Sequence, residues 1–414
     1  MYYRVMIMCC FIAVLLIDLT GCTVVDRFGS RVYDDNLTSQ EVMNKEILVN
    51  IIRASRYQPL NFMAITQVTG GQSETLTTGL PTITLGPAQT VAQHQFPITN
   101  SVASGATGTF QTNPLVSSRF QQGMMSPVSP KILAYLLASH DRETVFNVVI
   151  DSINVTSGNT TVRYVNDPAN DQGLPGGCSA QSASRALADP NGGHRFLLNE
   201  DVCNYSKFIN FATEGMQYGV SAELVPVPRS LMARRGAGNQ GGPNAANLPG
   251  GDMNATAVPE ATGRLCWDPG LAIPQRKAGA RGLKPLCGKN LVDQNTNEDF
   301  SFQILGTLRF ELRFRSPAGI FAALGKQIRD GSAERVRSLL PPSQRVFDGE
   351  PLLTIKTDGT TDSCAVLAQY DGQTYCVPQG ADRTAMVFNI LQELKNLSTT
   401  PSDLNSAFSV RVVN

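Results

Sequence analysis

Six cysteines downstream of residue 22 constrain this chain more than any other feature. They come as three near neighbours in sequence: Cys178 with Cys203, Cys266 with Cys287, and Cys364 with Cys376. No Cys-x-x-Cys occurs among them, which removes the zinc-ribbon and thioredoxin-like readings. In an oxidising compartment an even set of this kind reads as a disulfide framework. Many connectivities are open to six cysteines, and proximity alone favours pairing each with its neighbour. Each bridge would then close a short loop and stabilise by about 3 kcal/mol if unstrained.

The first 22 residues indicate the compartment. Arg4 and the chain amine make a short positive start, Val5 to Ile17 is almost unbroken apolar sequence, and Leu19-Thr20-Gly21-Cys22 sets a small residue before a cysteine. The run is shorter than the roughly 20 residues a spanning helix needs. Its layout is that of a secretory signal. The tetrapeptide resembles the lipobox of bacterial lipoproteins, Leu-x-Gly/Ala-Cys, and the resemblance covers this segment only. It implies cleavage between Gly21 and Cys22, diacylation of the Cys22 sulfur and acylation of the new amine. One acyl chain anchors weakly and several hold firmly, at about 0.8 kcal/mol per buried methylene. Thr23 follows the cysteine where Asp would signal inner-membrane retention, which implies the outer membrane of a two-membrane bacterium. The membrane, reached through lipid on Cys22, is the first expected partner.

The rest reads as an exported globular body. The chain has 414 residues, 42% of them hydrophobic, a length that suits one large or two ordinary domains. It carries 34 basic and 34 acidic side chains, a balance that argues against a general nucleic-acid binder. The expected organisation is a signal over 1–21, a polar tether over 22–37, an α+β domain over 38–225, a flexible linker or excursion over 226–265, and a second α+β domain over 266–414. The fold class is α+β, with antiparallel sheets, several short helices and long polar loops.

Local patterns place the elements. Thr38 and Glu41 form a capping box for a helix to about Ser55, with Val42, Ile47, Leu48, Ile51 and Ile52 on its apolar side. Leu60 to Val68 reads as a strand closed by Gly70-Gly71. From there to about Leu115 the sequence is rich in Thr, Gly, Ser, Gln and Asn, and suits either long polar strands or irregular loops. Ser129-Pro130 and Ser316-Pro317 each open a helix, with Ser as cap and Pro in the first turn. Further expectations are a strand over 160–165, a helix near 200–212, a strand near 219–225, one long strand over 300–314 and a strand over 352–356. A hairpin across Asp371-Gly372, a helix over 384–394 and a terminal strand over 407–413 complete the set. Asp141-Arg142 and Asp382-Arg383 echo each other as the two Ser-Pro pairs do. A duplicated unit or shared helix-cap grammar would explain this.

Chemistry is not advertised. Gly236 to Gly241 fits Gly-x-Gly-x-x-Gly but has no strand before it. Gly282 to Lys289 misses P-loop spacing by one residue. His94, His140 and His194 lack ligand-spaced partners, and no Gly-x-Ser-x-Gly elbow nominates a nucleophile. The Asp/Asn-rich run 166–173 does not match EF-hand spacing. We therefore expect no catalysis, no cofactor and no metal. One surface invites binding: Arg276, Lys277, Arg281 and Lys284 lie between Cys266 and Cys287, and would form a basic loop if those cysteines pair. Such a loop suits phosphate- and carboxylate-rich envelope material. The expectation is a lipid-anchored envelope protein with a structural or assembly role, binding another envelope protein or polymer. A small-ligand or glycan-binding lipoprotein is the alternative, and an envelope-polymer hydrolase follows behind.

Overall fold

The computed structural model describes residues 27–74, 77–79, 83–85, 94–96, 99–101, 104–171, 178, 203–226, 261–288, 301–303, 308–357, 363–399 and 410–411. Cys22, His194, residues 227–260 and the glycine-rich run at 236–241 lie outside them. The protein is α+β. In chain order the elements begin with α1 (Arg27–Ser55), β1 (Met63–Glu74), β2 (Thr77–Gly79), β3 (Ile83–Leu85), β4 (His94–Phe96), β5 (Thr99–Ser101) and β6 (Ser104–Pro114). There follow α2 (Ser118–Met125), α3 (Pro130–Ser139), α4 (Arg142–Val149), β7 (Ile150–Ser157), β8 (Thr160–Val165), α5 (Asn204–Gln217) and β9 (Val220–Pro226). Next come β10 (Ala261–Trp267), α6 (Lys277–Ala280), β11 (Ser301–Gln303), β12 (Leu308–Phe314) and α7 (Pro317–Arg329). Last are β13 (Lys356–Thr357), β14 (Cys364–Tyr370), β15 (Gln373–Pro378), α8 (Asp382–Ser398) and β16 (Val410–Arg411). Two compact units result: Met1–Leu60 with Gly123–Asn396, and Asn61–Gln122 with Leu397–Asn414.

The larger unit is built around α4, which is buried at every residue from Glu143 to Val149. A helix enclosed on all sides must have both ends satisfied from within the protein. At its start Asp141 accepts from the amide of Thr144 at 2.8 Å. Glu143, in the first turn, accepts from the amide of Leu339 at 2.8 Å and from the Ser338 hydroxyl. At its end Arg315 donates to the carbonyls of Asn147 at 3.3 Å and Val148 at 2.9 Å, and to Asn166 at 2.6 Å. Asn166 in turn donates to Asn147 and Ile150, both at 2.9 Å. A cation at a helix C-terminus is where the helix dipole favours it.

The chain leaves α4 directly into the antiparallel sheet β11-β12-β7-β8. Phe211 of α5 packs on that sheet, its ring 5.5 Å from Tyr164 and 4.8 Å from Phe310. Helix α1 lies against α7 so closely that a Cβ at Gly325 would stand 2.5 Å from the amide nitrogen of Ser55. Helix α3 covers the β9-β10 pair, and a Cβ at Gly263 would stand 2.0 Å from the amide nitrogen of Lys131. The third sheet, β13-β15-β14, turns at Asp371-Gly372 with φ of 50° and 74°, the left-handed conformation a tight hairpin needs.

The smaller unit has a different plan. Strands β1 and β6 pair antiparallel, β2 and β5 continue the ladder, and β3 and β4 lie innermost, so three pairs nest in order around one tip. Strand β16 joins the outer side of β6 at Gln111 and Thr112. At the base Phe62 meets the ring of Phe120 edge-on at 5.8 Å, and Leu115 is buried.

Several expectations hold and others are corrected. Both Ser-Pro pairs cap helices, Ser129 accepting from Ile132 and Ser316 from Gly319. The Asp371-Gly372 hairpin and the 160–165 strand fall where expected. The 22–37 tether does not hold over its described part, because α1 begins at Arg27 and passes through Thr38, which is therefore no cap. No proline interrupts Arg27 to Leu37, and Gly29 alone costs only about 1 kcal/mol. Val42 is 46% exposed and not on the buried side. Strand β1 runs through Gly70-Gly71, held by cross-strand partners Gly108 and Thr107. Residues 300–314 form two strands, β11 returning on β12. Leu352 and Leu353 are buried without a ladder, since apolar runs report burial and not backbone state. The division into domains at 38–225 and 266–414 does not match the compact units. Strand β12 pairs with β7 across that division, and the end of the 226–265 segment is the strand β10.

Candidate functional site

All three cysteine pairs are disulfides with the expected partners: Cys178–Cys203, Cys266–Cys287 and Cys364–Cys376. The second shapes the basic loop. Strand β10 pairs with β9 through Cys266↔Ser221, and the loop returns so that Trp267 and Cys287 exchange backbone hydrogen bonds with the segment beside them. Trp267 is fully buried, its ring 6.4 Å from Tyr218. The loop thus has a rigid base made of one disulfide, one buried indole and two backbone bonds.

The four cations named above do not act as one set. Arg276 is held against the body, pairing with Glu214 at 2.8 Å and lying 5.2 Å above the Tyr218 ring. Burial raises the Glu214 carboxyl, and Arg276 opposes that shift. Lys277, Arg281 and Lys284 are exposed. None of them has an ion-pair partner among the described residues. Arg264, two residues before Cys266, is engaged by Glu223 and by the carbonyl of Leu286 at 3.2 Å. The available charge is therefore three cations on the outer side of the loop. Lys289 lies outside the described residues.

Glu223 also accepts from the amide of Gly288 at 2.6 Å. Its carboxylate lies within 4.8 Å of the Cys266 and Cys287 sulfurs. Those sulfurs are joined to each other, and the carboxylate is occupied by Arg264 and Gly288, so the arrangement is a structural clasp. The Asp/Asn run at 166–173 is likewise engaged in its described part. Asp167 pairs with Lys326, while Asp171 accepts from the Ser206 hydroxyl at 2.7 Å and from Arg337 at 3.3 Å. His140 ends α3, its Nε2 3.0 Å from the Glu393 carboxylate. His94 lies in β4 opposite Leu85, far from that pair in sequence.

A second feature was not legible in the sequence. A cavity of about 370 Å³ is lined by Asp171, Tyr205, Glu334, Arg335 and Arg337 among others. The Tyr205 hydroxyl accepts from the Arg337 amide at 2.9 Å, and burial pushes its phenol up to about 12. Arg337 also reaches the carbonyl of Cys178 at 3.0 Å, which ties this wall to the first disulfide. The residues come from four separate segments, so no local motif could have marked them. Nearby, Lys207 is fully buried, 5.5 Å over the Tyr164 ring, and burial lowers its amine to about 8.

Compared with protein families, curated proteins and solved structures, the chain matches none. Function therefore rests on the chain's own chemistry.

Proposed function

We propose that the protein is a lipid-anchored component of a bacterial cell envelope, held at the outer membrane, that takes a structural or assembly role and no catalytic one. The observation that carries this reading is Leu19-Thr20-Gly21-Cys22 behind a short apolar run. Three disulfides agree with an oxidising compartment. Among the described residues no helix is long and apolar enough to cross a membrane, so attachment through Cys22 would be the anchor. The rigid basic loop would then meet phosphate- or carboxylate-bearing envelope material through Lys277, Arg281 and Lys284.

Palmitate labelling and membrane fractionation of wild type beside Cys22→Ala test the anchor; label and membrane residence should both be lost in the variant. Pull-down from crosslinked, detergent-solubilised envelopes tests the assembly role. A stoichiometric partner lost in Cys22→Ala supports it. A clean bait in both turns attention to the cavity beside Tyr205 and Arg337, whose size and mixed charge favour the second reading, a small-ligand or glycan-binding lipoprotein.

A further inference from the structure

The end of α1 adopts a conformation that its side chain makes costly. Gln58 donates to the Arg53 carbonyl at 2.9 Å and Tyr57 to the Ala54 carbonyl at 3.2 Å, the bond pair of a Schellman cap. Such a cap needs one residue in the left-handed region, and glycine is its usual occupant because it has no Cβ. Here that residue is Tyr57, with φ of 59°. A bulky side chain in this region is an outlier that the surrounding structure must hold in place, and such outliers gather at binding and catalytic sites. The ring does not fill the core. Tyr57 is 81% exposed, more than any other large apolar or aromatic side chain among the described residues.

Arg329, at the end of α7, steadies that ring. Its guanidinium lies 4.3 Å from the ring centroid and is itself held by Asp330 at 3.2 Å and by the Ser55 carbonyl at 3.4 Å. One face of Tyr57 is thus taken by a cation, and the rest of the ring meets solvent. A second ring lies alongside. Gln58 accepts from the Tyr370 hydroxyl, and the guanidinium carbons of Arg53 and Arg56 each stand 5.6 Å from the Tyr370 ring. Arg56 is fully engaged, donating to Asp371, to Gln373 at 2.9 Å and to the Tyr375 hydroxyl at 2.7 Å. Arg53 is not: its Nε is buried without a hydrogen-bond partner among the described residues. Asp371 in this same patch is a further non-glycine residue with positive φ, at 50°.

The chemistry of the patch selects its partner. Arg53, Arg56 and Arg329 stand against Asp330 and Asp371, so little net charge is left to draw in a polyanion. Of the residues named here, Tyr57 is the only large apolar side chain that is exposed. Charged groups surround it, whereas the core of a protein interface is apolar and poor in charge. What the patch offers is an aromatic face ringed by flat hydrogen-bonding groups: guanidinium, amide and carboxylate. A pyranose ring is the complement of that arrangement. It has a face of C–H groups to lie on the aromatic ring, and a rim of hydroxyls that both donate and accept.

We infer that the face made by Arg53, Tyr57, Arg329 and the Asp371 turn binds uncharged saccharide chains, with one sugar ring stacked on the open side of Tyr57. The site shares no residue with the basic loop or with the cavity beside Tyr205, and saccharide binding there needs no lipid anchor. The test uses full-length protein in a zwitterionic detergent that has no sugar headgroup. It is titrated by calorimetry with hexasaccharides of β-linked glucose, α-linked glucose and N-acetylglucosamine, and with polygalacturonate as the charged control. Wild type should bind at least one hexasaccharide, and polygalacturonate no more tightly. Tyr57→Phe should keep that affinity within about twofold, since the ring face remains. Tyr57→Gly should lower it by about tenfold or more, yet melt no lower than wild type, because glycine suits the left-handed position. A ring that serves only the fold predicts the reverse, a lower melting temperature with binding unchanged. Failure to bind any of the three hexasaccharides overturns the assignment, and so does unchanged affinity in Tyr57→Gly or a melting temperature that falls with loss of the ring. Binding of polygalacturonate alone overturns it in favour of an acidic polymer. Capture of one protein through benzoylphenylalanine placed at position 57, without sugar binding, overturns it in favour of a protein partner.

Discussion

The larger unit and the nested hairpin differ in how they use charge. In the larger unit charged side chains go into the core, and each meets a partner there: Arg315 takes three backbone carbonyls, Glu143 takes Ser338 and Leu339, and Lys395 takes Glu46. The hairpin segment holds little charge, and among the described residues no strand lies beside the outer edge of β1. A buried ion with fixed partners specifies a single structure internally, because any other arrangement strands a charge. An open ladder of Thr, Gly, Ser and Gln specifies little beyond its own register.

The contrast can be broken most sharply at Arg315. Arg315→Met takes the guanidinium donors from the Val148 carbonyl at the end of α4 and from the Asn166 carbonyl, leaving Asn147 only its Asn166 donor, and should cost about 4 kcal/mol, read as a lower urea midpoint with unchanged slope. Thr109→Val in the hairpin should change the same midpoint by under about 0.5 kcal/mol. A comparable loss at both would show that the hairpin is as internally determined as the core. Next in size are the two backbone crossings. Gly263→Ala and Gly325→Ala each push a methyl into main chain of a neighbouring helix, at about 3 kcal/mol each, and should lower the melting temperature of the larger unit. Removing the Cys266–Cys287 bridge as a double serine variant should cost about 3 kcal/mol or less and free the basic loop to proteolysis, which limited trypsin digestion would detect.

Smaller effects sharpen the comparison through charge. Lys207 has its amine lowered to about 8 by burial, against an ordinary value of 10.5. Between these values the unfolded chain binds the extra proton, so stability rises with pH across that window and is lost as pH falls through it. Lys207→Met should remove that part of the slope, seen as the difference between variant and wild-type melting curves from pH 8 to 10.5. An unchanged slope would mean that the amine is hydrated in the folded state. Smallest in stability is reversal of Lys277, Arg281 and Lys284 to Glu. Melting should shift by no more than a few tenths of a kcal/mol, while binding to anionic vesicles or sacculi in low salt should fall. Unchanged binding removes the loop as a contact surface.

Legibility in the sequence followed the range of the interaction. The Ser129-Pro130 and Ser316-Pro317 starts and the Asp371-Gly372 turn were readable because each is decided within four residues, by a cap hydrogen bond or a permitted φ. The start of α1 is not legible from the Thr38–Glu41 pattern, because the helix begins at Arg27 and passes through that local capping signal. The long polar segment after Gly71 left strands and loops equally open, since Thr, Ser and Gly alternate too weakly to fix a period. Only pairing partners such as Gly70↔Gly108 decide it. Of the candidate loop, its span and charge were legible. The loss of Arg276 to Glu214 was not, because the partner lies more than sixty residues away.

By itself the sequence determined the chemistry that is local: the helix caps, the hairpin turn, the cysteine pairs that close on near neighbours, and the α+β class that follows from mixed periods. Tertiary structure alone decided which strands share a sheet, that β12 of the second half lies beside β7 of the first, and which buried cation closes which helix. The reason is physical. A turn or a cap is settled by dihedral angles and hydrogen bonds a few residues apart. Pairing between distant strands, and the burial of a charge, depend on desolvation shared among groups that meet only when the whole chain has folded.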